Sequence, residues 1–134
     1  MKNVAVGVWT DREFLWLKDP LDQPDRFTNQ LPNVVLKEGD DPVDELVDQV
    51  NATSLKFVVA AEIGQIEEAE LGFNMWGWLI QVEPTESEEF TLDEVRYLKV
   101  PIGDVMRGDV VVPEPFYEML QLVAKRIEEG PSVA

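Results

Sequence analysis

At 134 residues, with 45% hydrophobic and 28% charged side chains, the chain suits one folded domain spanning residues 1–134 and excludes a disordered or fibrous polypeptide. The absence of cysteine and histidine excludes disulfides, thiolate or imidazole metal sites, cysteine nucleophiles and a histidine base, so any metal chemistry would rest on oxygen ligands. With 27 acids against 11 bases the net charge is −16, which repels nucleic-acid backbones and anionic membranes.

No apolar run approaches the ~18 residues needed to cross a bilayer. The opening MKNVAVGVW runs directly into a strand pattern and has no cleavage site, so a cytoplasmic location is expected. The acids are scattered over many segments, without a long uninterrupted block. That distribution suits solubility, or a saline cytoplasm. The alternative is a basic protein partner.

In chain order, Val4 to Trp9 (VAVGVW) and Phe14 to Lys18 (FLWLK) are β-rich runs separated by TDRE, a turn of hairpin length. Asp19 to Gln30 carries two prolines and reads as a loop. A short strand is predicted over Asn33 to Leu36, followed by a KEGDD turn. Asp41 then caps a helix with Pro42 at its first position, an apolar stripe of Leu46, Val47 and Val50, and an end near Asn51. Leu55 to Ala61 (LKFVVAA) is a predicted strand, and EIGQIEEAELG a polar connection holding Glu62, Glu67, Glu68 and Glu70.

Gly72 to Glu83 is the longest predicted strand. Trp76, Trp78, Ile80 and Val82 share one face and Phe73, Met75 and Leu79 the other, so the strand is expected between two covering layers. PTESEEF reads as a loop, VRYLKV as a strand, and PIGDVMRGD as a turn with about one turn of helix. A final helix is predicted from Pro113 to Glu129, with Phe116, Met119, Leu120, Val123, Ala124 and Ile127 on its apolar face and Gly130-Pro131 as its stop.

This order resembles the Nudix superfamily, whose members mostly hydrolyse nucleoside diphosphates linked to another moiety. VAVGVW…FLWLK resembles its opening hairpin. LPNVVLKEGDDPVDELVDQV aligns without gaps on its loop and helix, whose usual form is Leu-Pro-Gly-Gly, an acidic turn, a Pro-started helix and Arg-Glu-x-x-Glu-Glu. LDEVRYLKVPIGDV (Leu92 to Val105) resembles the strand and Pro-containing turn that follow. The resemblance implies an α/β (α+β) fold, a mixed β-sheet sandwiched between helices in a single domain.

It also implies a chemistry from which this chain departs. In active members three glutamates on one helix face hold divalent cations against the pyrophosphate. The alignment puts Gln49, Ala52 and Thr53 at those positions, Asp48 at the bracing arginine, and Asn33-Val34 at the Gly-Gly. Asp40 keeps an acid where the motif has one, and Gly39 and Pro42 keep the turn. Without the glutamates, a domain that binds a nucleotide-like or other small molecule without hydrolysis is expected.

The alternative is a divergent Mg²⁺- or Mn²⁺-dependent hydrolase using Asp40, Glu45 and Glu94 as catalytic residues, with Asp40 and Glu45 as metal candidates and an acid from Glu62 to Glu70 in support. Glu94 stands where several Nudix enzymes place a base. A third account is an acidic protein-interaction module. Lys18, Arg26, Phe27, Lys37 and Trp76 are the candidate ligand-binding residues, with Trp9, Trp16 and Trp78 as further aromatic walls or core. The apolar long strand would also suit a homodimer interface.

Overall fold

The longest apolar strand needs cover on both faces, and the architecture supplies it. The computed structural model describes residues 2–11, 13–19, 31–68, 70, 72–107 and 114–128. Its elements are β1 (Lys2–Thr10), β2 (Phe14–Lys18), β3 (Asn33–Leu36), α1 (Pro42–Asn51), β4 (Phe57–Glu68), β5 (Phe73–Val82), β6 (Glu89–Leu92), β7 (Val95–Pro101), α2 (Ile102–Met106) and α3 (Glu114–Glu128). The strands form one mixed seven-stranded sheet in the order β4-β5-β1-β2-β7-β6, with β3 also paired to β1.

β1 runs parallel to β5 from Lys2↔Phe73 to Thr10↔Gln81. Its other edge is shared: β3 pairs antiparallel with Asn3 to Val6, whereas β2 meets it at Thr10↔Leu15. At the hairpin tip the Asp11 carboxylate accepts the N–H groups of Glu13 and Phe14 (3.1 and 3.0 Å), which closes the predicted turn.

Strand alternation divides the apolar residues into two cores. On one face Val6, Val8, Leu15, Leu17, Met75 and Leu79 pack against Met119, Leu120 and Val123 of α3 and Val105 of α2. Gly77 makes this contact close: a β-carbon there would collide with the Met119 sulfur. On the other face Ala5, Trp9, Trp16, Ile80 and Val82 pack against Leu46 and Val50 of α1. Trp9, Phe90 and Tyr97 stack in series, with centroids 4.6 and 5.0 Å apart. Burial, and then the Asp93 carboxylate, hold the Tyr97 phenol above its ordinary range. The predicted layers are therefore present, although Phe116 and Ile127 of the last helix lie outside the described side chains.

Two elements differ from the sequence reading. β4 does not stop at Ala61 but continues to Glu68, so Glu62 and Glu67 belong to a strand and not a loop. A bulge between Glu62 and Gly64 shifts the register, which lets Ile63 and Ile66 reach the same core although they differ in parity. The second is β6, which occupies the end of the predicted loop PTESEEF. It joins β7 through a two-residue turn in which Asp93 and Glu94 have φ of 51° and 66°. Among the described residues no helix is long and apolar enough to cross a membrane.

Candidate functional site

The segment from Leu31 to Thr53 is held by short, local hydrogen bonds. The Pro32 carbonyl accepts the Gly7 N–H at 2.9 Å, and Asn33 and Val34 pair with Val6 and Ala5. These two residues lie in strand backbone, so this chain needs no glycine there. The only left-handed residue in the segment is Gly39 (φ 88°), at the turn. Asp40 closes that turn twice: its N–H donates to the Lys37 carbonyl (3.0 Å), and its carboxylate accepts the Lys37 N–H (2.8 Å). Asp41 caps α1 by accepting from Val43 and Asp44.

Gln49, at the position of the first metal glutamate in the alignment, donates its side-chain amide to the Asn33 carbonyl at 2.9 Å. This ties the third turn of α1 to the first residue of β3. The Gln49 Oε1 atom is buried and has no hydrogen-bond partner among the described residues. Thr53 donates its hydroxyl to the Val50 carbonyl (2.7 Å) and accepts the Leu55 N–H (3.1 Å), ending the helix.

The other candidate residues are dispersed. Glu45 is half-buried on α1, Glu94 is exposed at the β6–β7 turn, and Glu62, Glu67 and Glu70 are exposed along or beyond β4; the Glu68 side chain lies outside the described residues. Among the described residues no three carboxylates converge closely enough to hold a metal ion. Lys18 is buried, faces Tyr97 in the β2–β7 register, and has an interaction of its own. Beside it the buried Asp19 carboxylate accepts from Arg96, whose Nε lies 3.0 Å away. Arg26 and Phe27 lie outside the described residues. Trp9 and Trp16 are fully buried core residues.

Three sequence candidates do meet. Lys37, Asp40 and Trp76 line a cleft of about 530 Å³ together with Asn3, Leu36, Glu38, Gly39, Gln65 and Asn74. This volume is in the ~300–1,000 Å³ range of small-molecule sites. The cleft lies on the α1 face of the sheet, where the β3–α1 turn overhangs the first residues of β1 and β5. Sequence reasoning missed its amide floor of Asn3, Gln65 and Asn74. The available signal was Asn74, an amide among the apolar residues of β5.

No protein-family model matches the sequence, and no curated protein matches it at sequence level. Solved structures do match its shape. The E. coli ORF135 protein superposes with a TM-score of 0.64 at 11% identity, covering 98% of this chain and 94% of that one. The Nudix hydrolase RenU from M. smegmatis gives 0.61 at 12% identity over 96% and 88% of the two chains. An ADP compounds hydrolase gives 0.62 at 14% identity over 97% and 75%. The chain has a Nudix fold. At these identities the likeness is one of architecture. Within the Nudix fold, the Leu31–Thr53 segment keeps the loop-and-helix layout, and the side chains of Asp40, Asp41, Gln49 and Thr53 bond to backbone groups of the segment itself.

Proposed function

We propose that this chain is a Nudix-fold domain that binds a nucleotide-like small molecule and does not hydrolyse it. The observation that carries this reading is the hydrogen bond from the Gln49 amide to the Asn33 carbonyl. A carboxylate at position 49 would face that carbonyl oxygen and would need a cation or a proton between them. An amide bridges the gap directly.

The neighbouring positions support the same conclusion. Ala52 offers no ligand, the Thr53 hydroxyl is engaged at the helix end, and the Asp40 carboxylate holds its own turn. Mg²⁺ and Mn²⁺ favour carboxylate and other hard oxygen ligands, and this donor set does not fit them. The cleft beside the turn, with Trp76 as a wall and Lys37 at its edge, is where a ligand would sit. That one fold relative is an ADP compounds hydrolase makes nucleotides the first class to test.

The test is a product-resolved screen of nucleoside triphosphates, ADP-ribose, NADH, dinucleoside polyphosphates and nucleotide sugars with excess Mg²⁺ or Mn²⁺, beside an Asp40→Asn control. No turnover is expected, and whatever binding the panel shows should be the same in EDTA as with metal. Metal-dependent turnover that disappears in Asp40→Asn would establish a rebuilt hydrolytic site and overturn the proposal.

A further inference from the structure

The cleft floor carries more chemical information than its volume. Gln65, Asn74 and Asn3 stand on the adjacent strands β4, β5 and β1, with Asn3 and Asn74 in direct register. The Asn74 amide nitrogen donates to Gln65 Oε1 at 3.0 Å and to Asn3 Oδ1 at 3.4 Å. Both of its N–H groups are thereby used, as is one acceptor on each neighbour. What remains across the row is the NH₂ of Asn3, the carbonyl of Asn74 and the NH₂ of Gln65, which read donor, acceptor, donor.

The complement of that row is an edge reading acceptor, donor, acceptor. A cyclic imide, carbonyl–NH–carbonyl, presents this pattern on a flat ring. Trp76 lies one residue pair along β5 from Asn74, lines the same cleft, and is held against Trp78 with ring centroids 5.5 Å apart. An aromatic wall beside an amide row suits a planar heterocycle. The charged lining is one lysine, Lys37, against Glu38 and Asp40, in a chain of net charge −16. A phosphate in this cleft meets net repulsion.

We propose that the cleft binds an uncharged planar ring with an imide edge, of the pyrimidine-2,4-dione type, as the base or nucleoside, and that it disfavours the phosphorylated forms. This proposal rests on the ligand-binding reading above and narrows it.

The experiment is a titration of the whole protein with uridine, 3-methyluridine, UMP and UDP in EDTA, followed by calorimetry and by the side-chain amide signals of Asn3, Gln65 and Asn74 in ¹⁵N-resolved NMR. Uridine should bind saturably and shift those signals. Methylation of N3 removes the central donor and should weaken binding roughly tenfold. Each phosphate should weaken it further, with the penalty shrinking as salt is raised. Trp76→Leu and Asn74→Leu, checked for native circular dichroism and melting, should abolish uridine binding.

UDP binding more tightly than uridine, with that advantage lost in Lys37→Ala, would overturn the charge argument. Nucleotide binding that leaves the amide signals and the Trp76→Leu variant unaffected would place the ligand elsewhere; that overturns this inference and leaves the broader reading standing. No binding by any nucleoside or nucleotide would overturn both.

Discussion

Position 49 illustrates how one atom's identity can decide what a helix face requires. In the resemblance that position belongs to a glutamate, which accepts hydrogen bonds and holds a cation. Gln49 presents an NH₂ instead, and the group it meets is a backbone carbonyl, an acceptor. Gln49→Glu should therefore place two acceptors face to face in a half-buried site. The expected loss in denaturant unfolding at neutral pH is about 1–3 kcal/mol relative to the unaltered chain. Facing the carbonyl raises the carboxyl's pKa in the folded chain, so the deficit should begin to narrow above the ordinary glutamate value and be gone once pH has fallen to about 4.3, because a protonated carboxyl can donate again. A deficit independent of pH would mean that the amide contributes packing and not a hydrogen bond. Gln49 was legible in the sequence as a missing carboxylate. Its partner was not, since Asn33 is 16 residues away and reaches it only through the fold.

At the scale of elements, legibility followed local chemistry. α1 was readable because its cap, first-position proline and apolar stripe agree, and the observed helix spans Pro42–Asn51 with Asp41 as cap. The far half of β4 was not readable, because the bulge at Glu62/Gly64 breaks the period-two pattern on which strand detection depends. The β6–β7 hairpin was hidden for a different reason. Its turn uses Asp93 and Glu94 in left-handed backbone, where a glycine or asparagine would have announced it. Glu94, a candidate base by the resemblance, stands at the exposed tip of that hairpin.

The union of β5 and α3 offers a sharper test. Gly77 leaves room for Met119, so Gly77→Ala should force the end of the buried Met119 side chain into another rotamer and cost about 1 kcal/mol. Adding Met119→Ala should make the two substitutions less costly than their sum, measured as a coupling energy in a double-mutant cycle. Strict additivity would show that the two residues do not share the contact.

For the molecule as a whole, charge is the dominant physical fact. A net charge of −16 on 134 residues opposes compaction, and salt screens that repulsion within a Debye length of about 10 Å at 0.1 M. Melting followed by calorimetry should therefore rise by roughly 4 °C, about 1 kcal/mol, between low and moderate NaCl. A flat or falling profile would mean that local pairs such as Arg96–Asp19 already balance the surface. The same excess of acid underlies the preference proposed for the cleft, because one lysine does not outweigh its neighbouring carboxylates and the field behind them.

Turn residues and apolar periodicity were sufficient to read a single α/β domain and a strand with two covered faces, because they are local properties carried by neighbours in the chain; the missing glutamates were read only through the resemblance of Leu31 to Thr53 to the Nudix loop and helix. The cleft is different. Asn3, Lys37, Gln65, Asn74 and Trp76 come from three strands and a turn, and nothing beside any one of them in sequence marks the others as its neighbours. Their juxtaposition depends on the parallel pairing of β1 with β5 and on the bulged pairing of β4 with β5. Pairings between distant segments depend on the sum of long-range packing and register, which no short window of residues contains.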